Sequence, residues 1–227
     1  MAKKTIWLTP KIGRTIPAER QVLPVKKSKL EIILSKCPRF PEPDASLEQY
    51  QTPAWIAAEI LNTACLRGDI EGKVVADLGC GTGIFAVGSA LLGAKRAIAI
   101  DIDAKALELA KGWAVKLGLE IEFLNKDIKG LGSRVDTAIS NPPFGVQTPH
   151  ADRRFIEWAM AHALKSYMLH YAPTERFVRE RVVELGGEVL AVQRYKCALP
   201  HGFPFHRKEK KDIEMVLVIS LGGVKNG

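Results

Sequence analysis

The chain has 227 residues, and 47% of them are hydrophobic, which is enough for one large domain with a buried core. Its 33 Lys and Arg exceed its 25 Asp and Glu, giving a formal net charge of +8. No apolar run reaches the roughly 18 residues of a membrane span, and the basic N-terminus lacks the apolar core of a signal peptide. The sequence therefore predicts a cytoplasmic protein. The four cysteines form no C-x-x-C pair, so we expect neither disulfides nor a metal site.

The positive charge is concentrated near the start of the chain. Residues 1–29 contain eight Lys or Arg and one acidic residue, so they account for +7 of the net charge. Residues 1–27 also contain three prolines and no hydrophobic periodicity, which predicts a basic arm over 1–27 and one domain over 28–227. Such an arm either contacts nucleic-acid phosphates or is a solvated tail. The predicted RNA contacts near its end are Lys26, Lys27 and Lys29.

The domain begins with two predicted helices. Residues 28–36 place apolar side chains on one helical face, and residues 37–43 resemble a linker because three of them are proline. A second helix is predicted over residues 53–67. Thr52 is suited to cap this helix, and Pro53 is suited to its first turn.

The rest of the domain alternates strands with helices. This alternation predicts an α/β fold with a seven-stranded, mostly parallel sheet and helices on both faces, and a final hairpin adds one antiparallel strand at the edge. The predicted strands are 74–78, 97–100, 121–124, 136–140, 165–170, 188–195 and 212–221, and the helices between them are 84–92, 104–117, 152–163 and 174–185.

A glycine-rich turn, Gly79-Cys80-Gly81-Thr82-Gly83, directly follows the first predicted strand. Glycine allows positive φ and close approach of a ligand, and the helix that starts there offers unpaired N–H groups. The second strand ends at Asp101, which is suited to bind ribose hydroxyls. Asp127 follows the third strand and can accept from an adenine amino group.

The position of Asp77 distinguishes between nucleotides. Dinucleotide sites typically use G-x-G-x-x-G, whereas the spacing here is G-x-G-x-G and Asp77 stands just before it. A carboxylate would repel a pyrophosphate but attract the cationic groups of S-adenosylmethionine, directly or through water. We therefore predict S-adenosylmethionine as cofactor, with Gln49, Tyr50 and Thr52 closing over its methionine end.

The tetrad Asn141-Pro142-Pro143-Phe144 follows the fourth strand and is the most informative motif. Two prolines cannot continue a central strand, so the chain leaves the sheet at its carboxyl edge. The Asn141 side-chain oxygen and the Pro142 carbonyl can then each accept a hydrogen from a planar amine, while Phe144 stacks on its ring. Both acceptors strengthen as positive charge grows on the attacking nitrogen, which favours the transition state.

A second basic segment, residues 205–211, separates the last two predicted strands. Aromatic and cationic side chains alternate there, a pattern that suits single-stranded nucleic acid, although a lysine-rich hairpin loop is the simpler alternative. The predicted RNA contacts in this segment are His206, Arg207, Lys208, Lys210 and Lys211.

Taken together, these motifs resemble a known family. Residues 74–85, 97–103 and 141–144 are similar to the Rossmann-like class I methyltransferases that use S-adenosylmethionine. More particular motifs resemble the methyltransferase-like protein 5 family and its archaeal relatives over about residues 28–221. These motifs are Glu48-Gln49-Tyr50-x-Thr52, Asp101-Ile102-Asp103, Asn141-Pro142-Pro143-Phe144-Gly145, and residues 205–208 ahead of 212–214.

The resemblance implies a specific activity, namely methylation of an adenine in small-subunit ribosomal RNA at its exocyclic nitrogen. Eukaryotic relatives work with a small zinc-binding activator subunit, so such a partner is a further expectation. The resemblance implies that Asn141 to Phe144 surround the base. It implies cofactor contacts from Gln49, Thr52, Gly79, Thr82, Ile84, Asp101, Asp127 and Ile128.

Three alternatives remain open from the sequence. Asn-Pro-Pro followed by an aromatic residue also occurs in enzymes that methylate guanine or a protein glutamine amide, and Phe144 rather than tyrosine favours adenine only mildly. A non-catalytic RNA-binding module with this fold is the third, but it would not need the glycine turn, Asp101 and the tetrad together.

Overall fold

A computed structural model describes residues 25–144, 151–198 and 212–223. Most of the predicted N-terminal arm and the predicted contacts His206, Arg207, Lys208, Lys210 and Lys211 lie outside the described residues, and the division into arm and domain stays a prediction. The strands are β1 (Val74–Leu78), β2 (Arg96–Asp101), β3 (Glu122–Asn125), β4 (Val135–Ser140), β5 (Ala163–Tyr171), β6 (Glu188–Ala198) and β7 (Asp212–Leu221). The helices are α1 (Lys27–Leu34), α2 (Ala54–Leu66), α3 (Ile84–Leu91), α4 (Ala104–Lys116), α5 (Arg153–His162) and α6 (Glu175–Glu184).

The seven strands form one sheet in the order β3-β2-β1-β4-β5-β7-β6. Every neighbouring pair is parallel except those that involve β7, so the predicted fold class is confirmed. The prediction that the antiparallel strand lies at the edge is wrong, because β7 lies between β5 and β6. The reason is burial. The apolar run from Met215 to Ile219 is buried on both faces of the sheet, as is typical of an inner strand, whereas β6 carries exposed Arg194 and Lys196.

The helices cover both faces of the sheet. Apolar residues of α1 to α4 pack on one face, and those of α5 and α6 pack on the other. Period-two alternation divides β1 between the two layers, since Val75 faces the first and Ala76 faces the second. Because β1 to β5 are parallel, their carboxyl ends lie together along one edge.

A buried polar cluster ties the segment after α2 to β4, which precedes the tetrad, and to its neighbour β5. The Asp69 carboxylate accepts from Lys165 Nζ at 2.7 Å and from the Tyr167 hydroxyl at 2.5 Å. The Thr137 hydroxyl donates to the Asp69 carbonyl at 2.6 Å. Asp69 therefore joins three elements, and its removal leaves a cation and a hydroxyl without their partner.

We expect Asp69→Ala to lower the free energy of unfolding by about 2–4 kcal/mol, because a partly buried ion pair and a buried hydrogen bond are lost. Urea denaturation followed by circular dichroism measures the change. Glu122→Ala is the matched control, since it removes a carboxylate that pairs with Arg96 on the surface and should cost less than about 1 kcal/mol. Equal costs for the two variants would contradict the structural role of Asp69.

Candidate active site

A cleft of about 590 Å³ opens at the carboxyl edge of the parallel strands. It is bounded by residues 46–52, by the glycine turn after β1, by the ends of β2 and β3, and by the tetrad and the start of α5. The structure thus brings together side chains that are separated by up to about a hundred residues in the sequence. The predicted site residues that line the cleft are Gln49, Tyr50, Thr52, Gly79, Gly81, Thr82, Ile84, Asp101, Asp127, Ile128, Asn141 and Pro143.

The glycine turn requires its glycines on both conformational and steric grounds. Gly79 and Gly81 have φ values of 64° and 52°, in the left-handed region. A Cβ on Gly81 would lie 2.9 Å from Cζ of Phe40, and one on Gly79 would lie 3.0 Å from Cε1 of Phe155. The turn is therefore closely packed between two aromatic rings, Phe40 and Phe155, where it lines the cleft.

Asp77 lies behind the glycine turn and does not line the cleft. One carboxylate oxygen, Oδ2, accepts from the Ala86 N–H at 2.9 Å. The other, Oδ1, is buried and has no hydrogen-bond partner among the described residues. Burial raises the pKa of Asp77 to about 8, and the charge of Asp101 adds to the effect. A buried acid with an unpaired oxygen is suited to a cationic ligand.

Asp101 at the end of β2 organises the neighbouring backbone. Its Oδ2 accepts from the Gly81 N–H at 2.7 Å, and its Oδ1 accepts from the Asp103 N–H at 2.9 Å. Each oxygen keeps a second lone pair, so Asp101 can still accept from ribose hydroxyls. The desolvation that comes with burial raises its pKa.

Gln49 lines the cleft with Tyr50 and Thr52, and its side chain bonds to a residue beside Asp101. Its Nε2 donates to Asp103 Oδ2 at 2.5 Å, directly beside Asp101. The structure therefore places the Gln49 side chain beside the predicted ribose position. Asp103 uses its other oxygen to cap α4 by accepting from the Lys105 N–H at 2.8 Å.

Asp127 follows β3 and has two partners. Its Oδ1 accepts from the Lys129 N–H at 3.0 Å, which caps the short 3₁₀ turn Ile128–Gly130. Its Oδ2 pairs with Arg154 Nη1 at 3.4 Å, a contact that the sequence analysis did not predict. Ile128 is buried and lines the same part of the cleft. Asp127 therefore reaches the cleft in a fixed orientation.

Thr52 orients the tetrad rather than capping a helix. The N-cap of α2 is Pro53, and no side chain caps the helix, so the prediction for Thr52 as the cap is wrong. Instead, Asn141 Nδ2 donates to Thr52 Oγ1 at 2.9 Å. This bond fixes which way the amide faces, so that its oxygen is available as an acceptor on the other side.

The two predicted acceptors of the tetrad converge on a single donor. The Tyr50 hydroxyl lies 3.3 Å from Asn141 Oδ1 and 3.3 Å from the Pro142 carbonyl oxygen, and it donates toward both. A planar amine that bonded these oxygens would have to replace the Tyr50 hydroxyl. Burial raises the pKa of Tyr50 well above its usual value, so the hydroxyl remains protonated and able to donate.

Phe144 is packed between two tyrosines. Its ring centroid lies 4.9 Å from that of Tyr50 and 5.9 Å from that of Tyr171, and the Tyr171 ring is tilted by only 23°. Phe144 is 8% exposed and does not line the cleft, so a base can stack on it only if a neighbouring ring moves. Tyr171 belongs to β5, whereas Tyr50 lies outside any helix or strand, so we expect an incoming base to displace Tyr50 rather than Tyr171.

Several cleft residues were not predicted. Phe40 lines the cleft above Gly81, and Cys37 Sγ lies 3.3 Å from Thr82 Oγ1, so residues 37–43 cover the glycine turn rather than acting as a linker. The single aromatic residue between the prolines of this segment, Phe40, was the available signal. Four basic residues also border the cleft: Lys126, Lys129, Arg153 and Arg154. The predicted RNA contacts Lys26, Lys27 and Lys29 are exposed at the start of α1.

The part of the chain that the structure describes contains neither a metal-binding cluster nor a membrane-spanning helix. Within residues 25–144, 151–198 and 212–223, no group of three or more His, Cys, Asp or Glu side chains is arranged to hold a metal ion. Over the same ranges, no helix has the length and apolar character needed to cross a membrane.

Comparison with known proteins places this geometry in a class. Residues 56–168 match the family described as the methyltransferase small domain. A crystal structure of a candidate RNA methyltransferase from Pyrococcus horikoshii superposes with a TM-score of 0.82 and is 38% identical, covering 88% of this chain and 98% of its own. The fold and the cleft are those of a class I S-adenosylmethionine-dependent methyltransferase.

Similarity over most of the sequence identifies the family. The Drosophila melanogaster protein named rRNA N(6)-adenosine-methyltransferase Mettl5 is 36% identical over 84% of this chain and 94% of its own length. An uncharacterized protein of Methanocaldococcus jannaschii is 40% identical over 85% of this chain and 93% of its own. This chain belongs to the methyltransferase-like protein 5 family, as the resemblance of its motifs predicted.

The cleft fits S-adenosylmethionine. The unpaired oxygen of Asp77 lies in a buried environment that a cation would stabilise, and the glycine turn in front of it lines the cleft. Asp101 and Asp127 supply acceptors at the ends of two successive strands. The cofactor predicted from the sequence is therefore consistent with the donors and acceptors present.

The raised pKa of Asp77 predicts proton release when a cationic cofactor binds. At pH 7 the buried acid is mostly protonated, since its pKa is about 8, and a bound cation lowers that pKa. We expect up to about one proton to be released per S-adenosylmethionine bound at pH 7, and affinity to rise with pH up to about 8. Calorimetry in buffers of different ionisation enthalpy measures the release.

Asp77→Asn should abolish this proton release and flatten the pH dependence. Glu108→Gln is the matched control, because it removes an exposed carboxylate from α4 and should leave the release unchanged. Without cofactor, the raised pKa stabilises the fold at low pH, and this contribution is lost as the pH rises through about 8. Equal proton release by Asp77→Asn and the unmodified protein would refute the assignment.

Proposed function

We propose that this protein transfers the methyl group of S-adenosylmethionine to the exocyclic N6 amine of an adenine in ribosomal RNA of the small subunit. The observation that carries the proposal is the convergence of Asn141 Oδ1 and the Pro142 carbonyl on one donor atom, the Tyr50 hydroxyl. An exocyclic amine has two hydrogens in one plane and needs two acceptors placed in this way.

The residues of the tetrad assist by accepting hydrogen bonds. The amine lone pair is delocalised into the base, and nitrogen becomes a better nucleophile as it turns tetrahedral. The Asn141 and Pro142 oxygens favour that change, because both bonds strengthen as nitrogen gains positive charge. Thr52 keeps the Asn141 oxygen in place by accepting from its amide nitrogen. No strong base is needed, because the product ammonium is acidic and loses its proton to water.

The cofactor supplies an electrophilic methyl group on a sulfonium, and the chain's residues hold and orient it. In this proposal Asp101, with Gln49 and Asp103 behind it, binds the ribose, and Asp127 with Ile128 binds the adenine. Asp77 acts from behind the turn through its charge. The glycine turn and the start of α3 form one wall of the cleft, through Gly79, Gly81, Thr82 and Ile84.

RNA as the substrate is supported by charge and by relatives. Lys126, Lys129 and Arg153 border the cleft and are suited to phosphates. The relatives from Drosophila melanogaster and Danio rerio are both named as rRNA N(6)-adenosine-methyltransferases. The predicted contacts in the N-terminal arm and in residues 206–211 belong to this proposal on charge alone. The small-subunit target and an activator subunit belong to it through the resemblance of the motifs, and the cytoplasmic location through the character of the N-terminal sequence.

A direct assay tests the substrate. Purified protein with methyl-tritiated S-adenosylmethionine should label small-subunit ribosomal RNA, and nuclease digestion should release the label as N6-methyladenosine. Label in methylguanosine would show that the enzyme methylates guanine rather than adenine. Label found only in protein would refute an RNA substrate.

Asn141→Ala should lower kcat by about 10²–10³-fold, because an acceptor that strengthens in the transition state is lost. Affinities for S-adenosylmethionine and RNA should change little, and equilibrium binding measures both. Thr52→Val is the graded control. It keeps the shape of the side chain but removes the acceptor that orients the amide, so a smaller loss of about 3- to 10-fold is expected. An unchanged kcat for Asn141→Ala would defeat the mechanism.

Tyr50→Phe should lower KM for RNA by up to about tenfold, because it removes a hydroxyl that competes with the target amine for the same two oxygens. Steady-state kinetics with varied RNA measures the effect. Tyr171→Phe is the matched control, because this side chain contacts Phe144 from β5 and its hydroxyl forms no bond to the tetrad in the described residues. A large fall in kcat with unchanged KM would show instead that the Tyr50 hydroxyl holds Asn141 in its active orientation.

A further inference from the structure

Trp55 is an exposed aromatic residue close to the active site. It lies in the first turn of α2, three residues after Thr52, which bonds to the tetrad. It is 41% exposed, whereas Trp113 and Trp158 are 6% exposed. Single exposed hydrophobic residues are common, so the exposure alone assigns no function to Trp55.

Trp55 forms one end of a row of aromatic residues that reaches the tetrad. Its ring contacts Tyr195 edge-on, with centroids 5.9 Å apart and planes at 72°. Tyr195 on β6 and Tyr171 on β5 both pair in register with Met215 on β7, which lies between them, so their side chains are on the same face of the sheet. Two strand spacings separate their backbones by about 10 Å. Tyr171 in turn stacks on Phe144. The row therefore connects the predicted base pocket to the exposed Trp55.

Positive charge lies beside the exposed end of this row. Glu59 is one turn along α2 from Trp55, and its charge acts on Tyr195, whose pKa is raised by burial and by this neighbour. Lys27 at the start of α1 forms an ion pair with Glu59. Lys26 and Lys29 flank Lys27 and are exposed. Aromatic faces and lysines thus occur together, which is the combination that single-stranded nucleic acid requires.

We propose that Trp55, supported by Tyr195, is a stacking platform for an unpaired base that flanks the target nucleotide, with the lysines at the start of α1 contacting the adjoining phosphates. The proposal rests on the proposed function and adds a specificity element to it. Its occupant is an unpaired RNA base, because the row extends to the base pocket, with Met215 between Tyr195 and Tyr171, and because lysines border its exposed end. The target must leave any helix to reach the tetrad, so its neighbours are also unstacked and available.

Tryptophan fluorescence tests the contact directly. The chain has four tryptophans, so the measurements use a Trp7→Phe background in which the remaining three are Trp55, Trp113 and Trp158. We expect a single-stranded fragment of small-subunit ribosomal RNA to quench the fluorescence, and Trp55→Phe to abolish most of this quenching. Quenching of equal size in Trp55→Phe would overturn the proposal, as would equal quenching by a fully double-stranded RNA of the same length.

RNA affinity and kinetics provide the second readout. Trp55→Ala should raise the Kd and the KM for RNA by about 5- to 100-fold, with the effect on KM rather than on kcat, and Trp55→Phe should restore most of the affinity because a ring remains. Leu66→Ala is the matched control, since Leu66 is 80% exposed at the other end of α2 and should have no effect. An unchanged KM and Kd in a folded Trp55→Ala protein would refute the platform.

The two proposals fail in distinguishable ways. If RNA quenches Trp55 but the unmodified protein methylates no RNA, the proposed function fails and the platform stands. If the unmodified protein methylates ribosomal RNA and Trp55→Ala behaves identically, the platform fails and the proposed function stands.

Discussion

The site depends on the orientation of one amide. Asn141 could face either way at the end of β4, and the bond from its Nδ2 to Thr52 Oγ1 selects the orientation in which its oxygen lies beside the Pro142 carbonyl. Proline at position 142 contributes a carbonyl without an N–H, so no donor disturbs the pair of acceptors. The sheet supports this arrangement, because β4 lies between β1 and β5 and cannot shift without breaking both ladders.

The parts of the site that the sequence predicted are those set by the sheet. Asp101, Asp127 and Asn141 each follow a strand, and parallel strands bring their carboxyl ends to one edge, so their proximity follows from the fold class alone. The parallel direction of the early strands was also predictable, because short apolar runs alternate with amphipathic helices along the chain. The central position of β7 was missed because β6 and β7 are both rich in apolar residues, and only burial on both faces distinguishes them.

The contacts that the sequence did not reveal join distant, irregular segments. Tyr50 meets Asn141 across 91 residues, and Phe40 meets Gly81 from a segment without periodicity. No local pattern predicts which side chain of a loop will reach a strand end. Thr52 illustrates the difficulty. Its position before a helix favours a capping role, yet the helix begins after Pro53 and the hydroxyl turns to the tetrad.

Acidic and basic side chains lie at different depths around the cleft. Asp77 is buried behind the glycine turn and Asp101 is partly buried at the end of β2, and burial raises the pKa values of both, while the exposed Lys126, Lys129 and Arg153 border the mouth of the cleft. A cationic cofactor is therefore stabilised at the bottom and a polyanion at the rim. Methyl transfer removes the sulfonium charge, so the spent cofactor gains less from the acids than the incoming one. The same buried charge that favours binding before the reaction thus favours exchange after it.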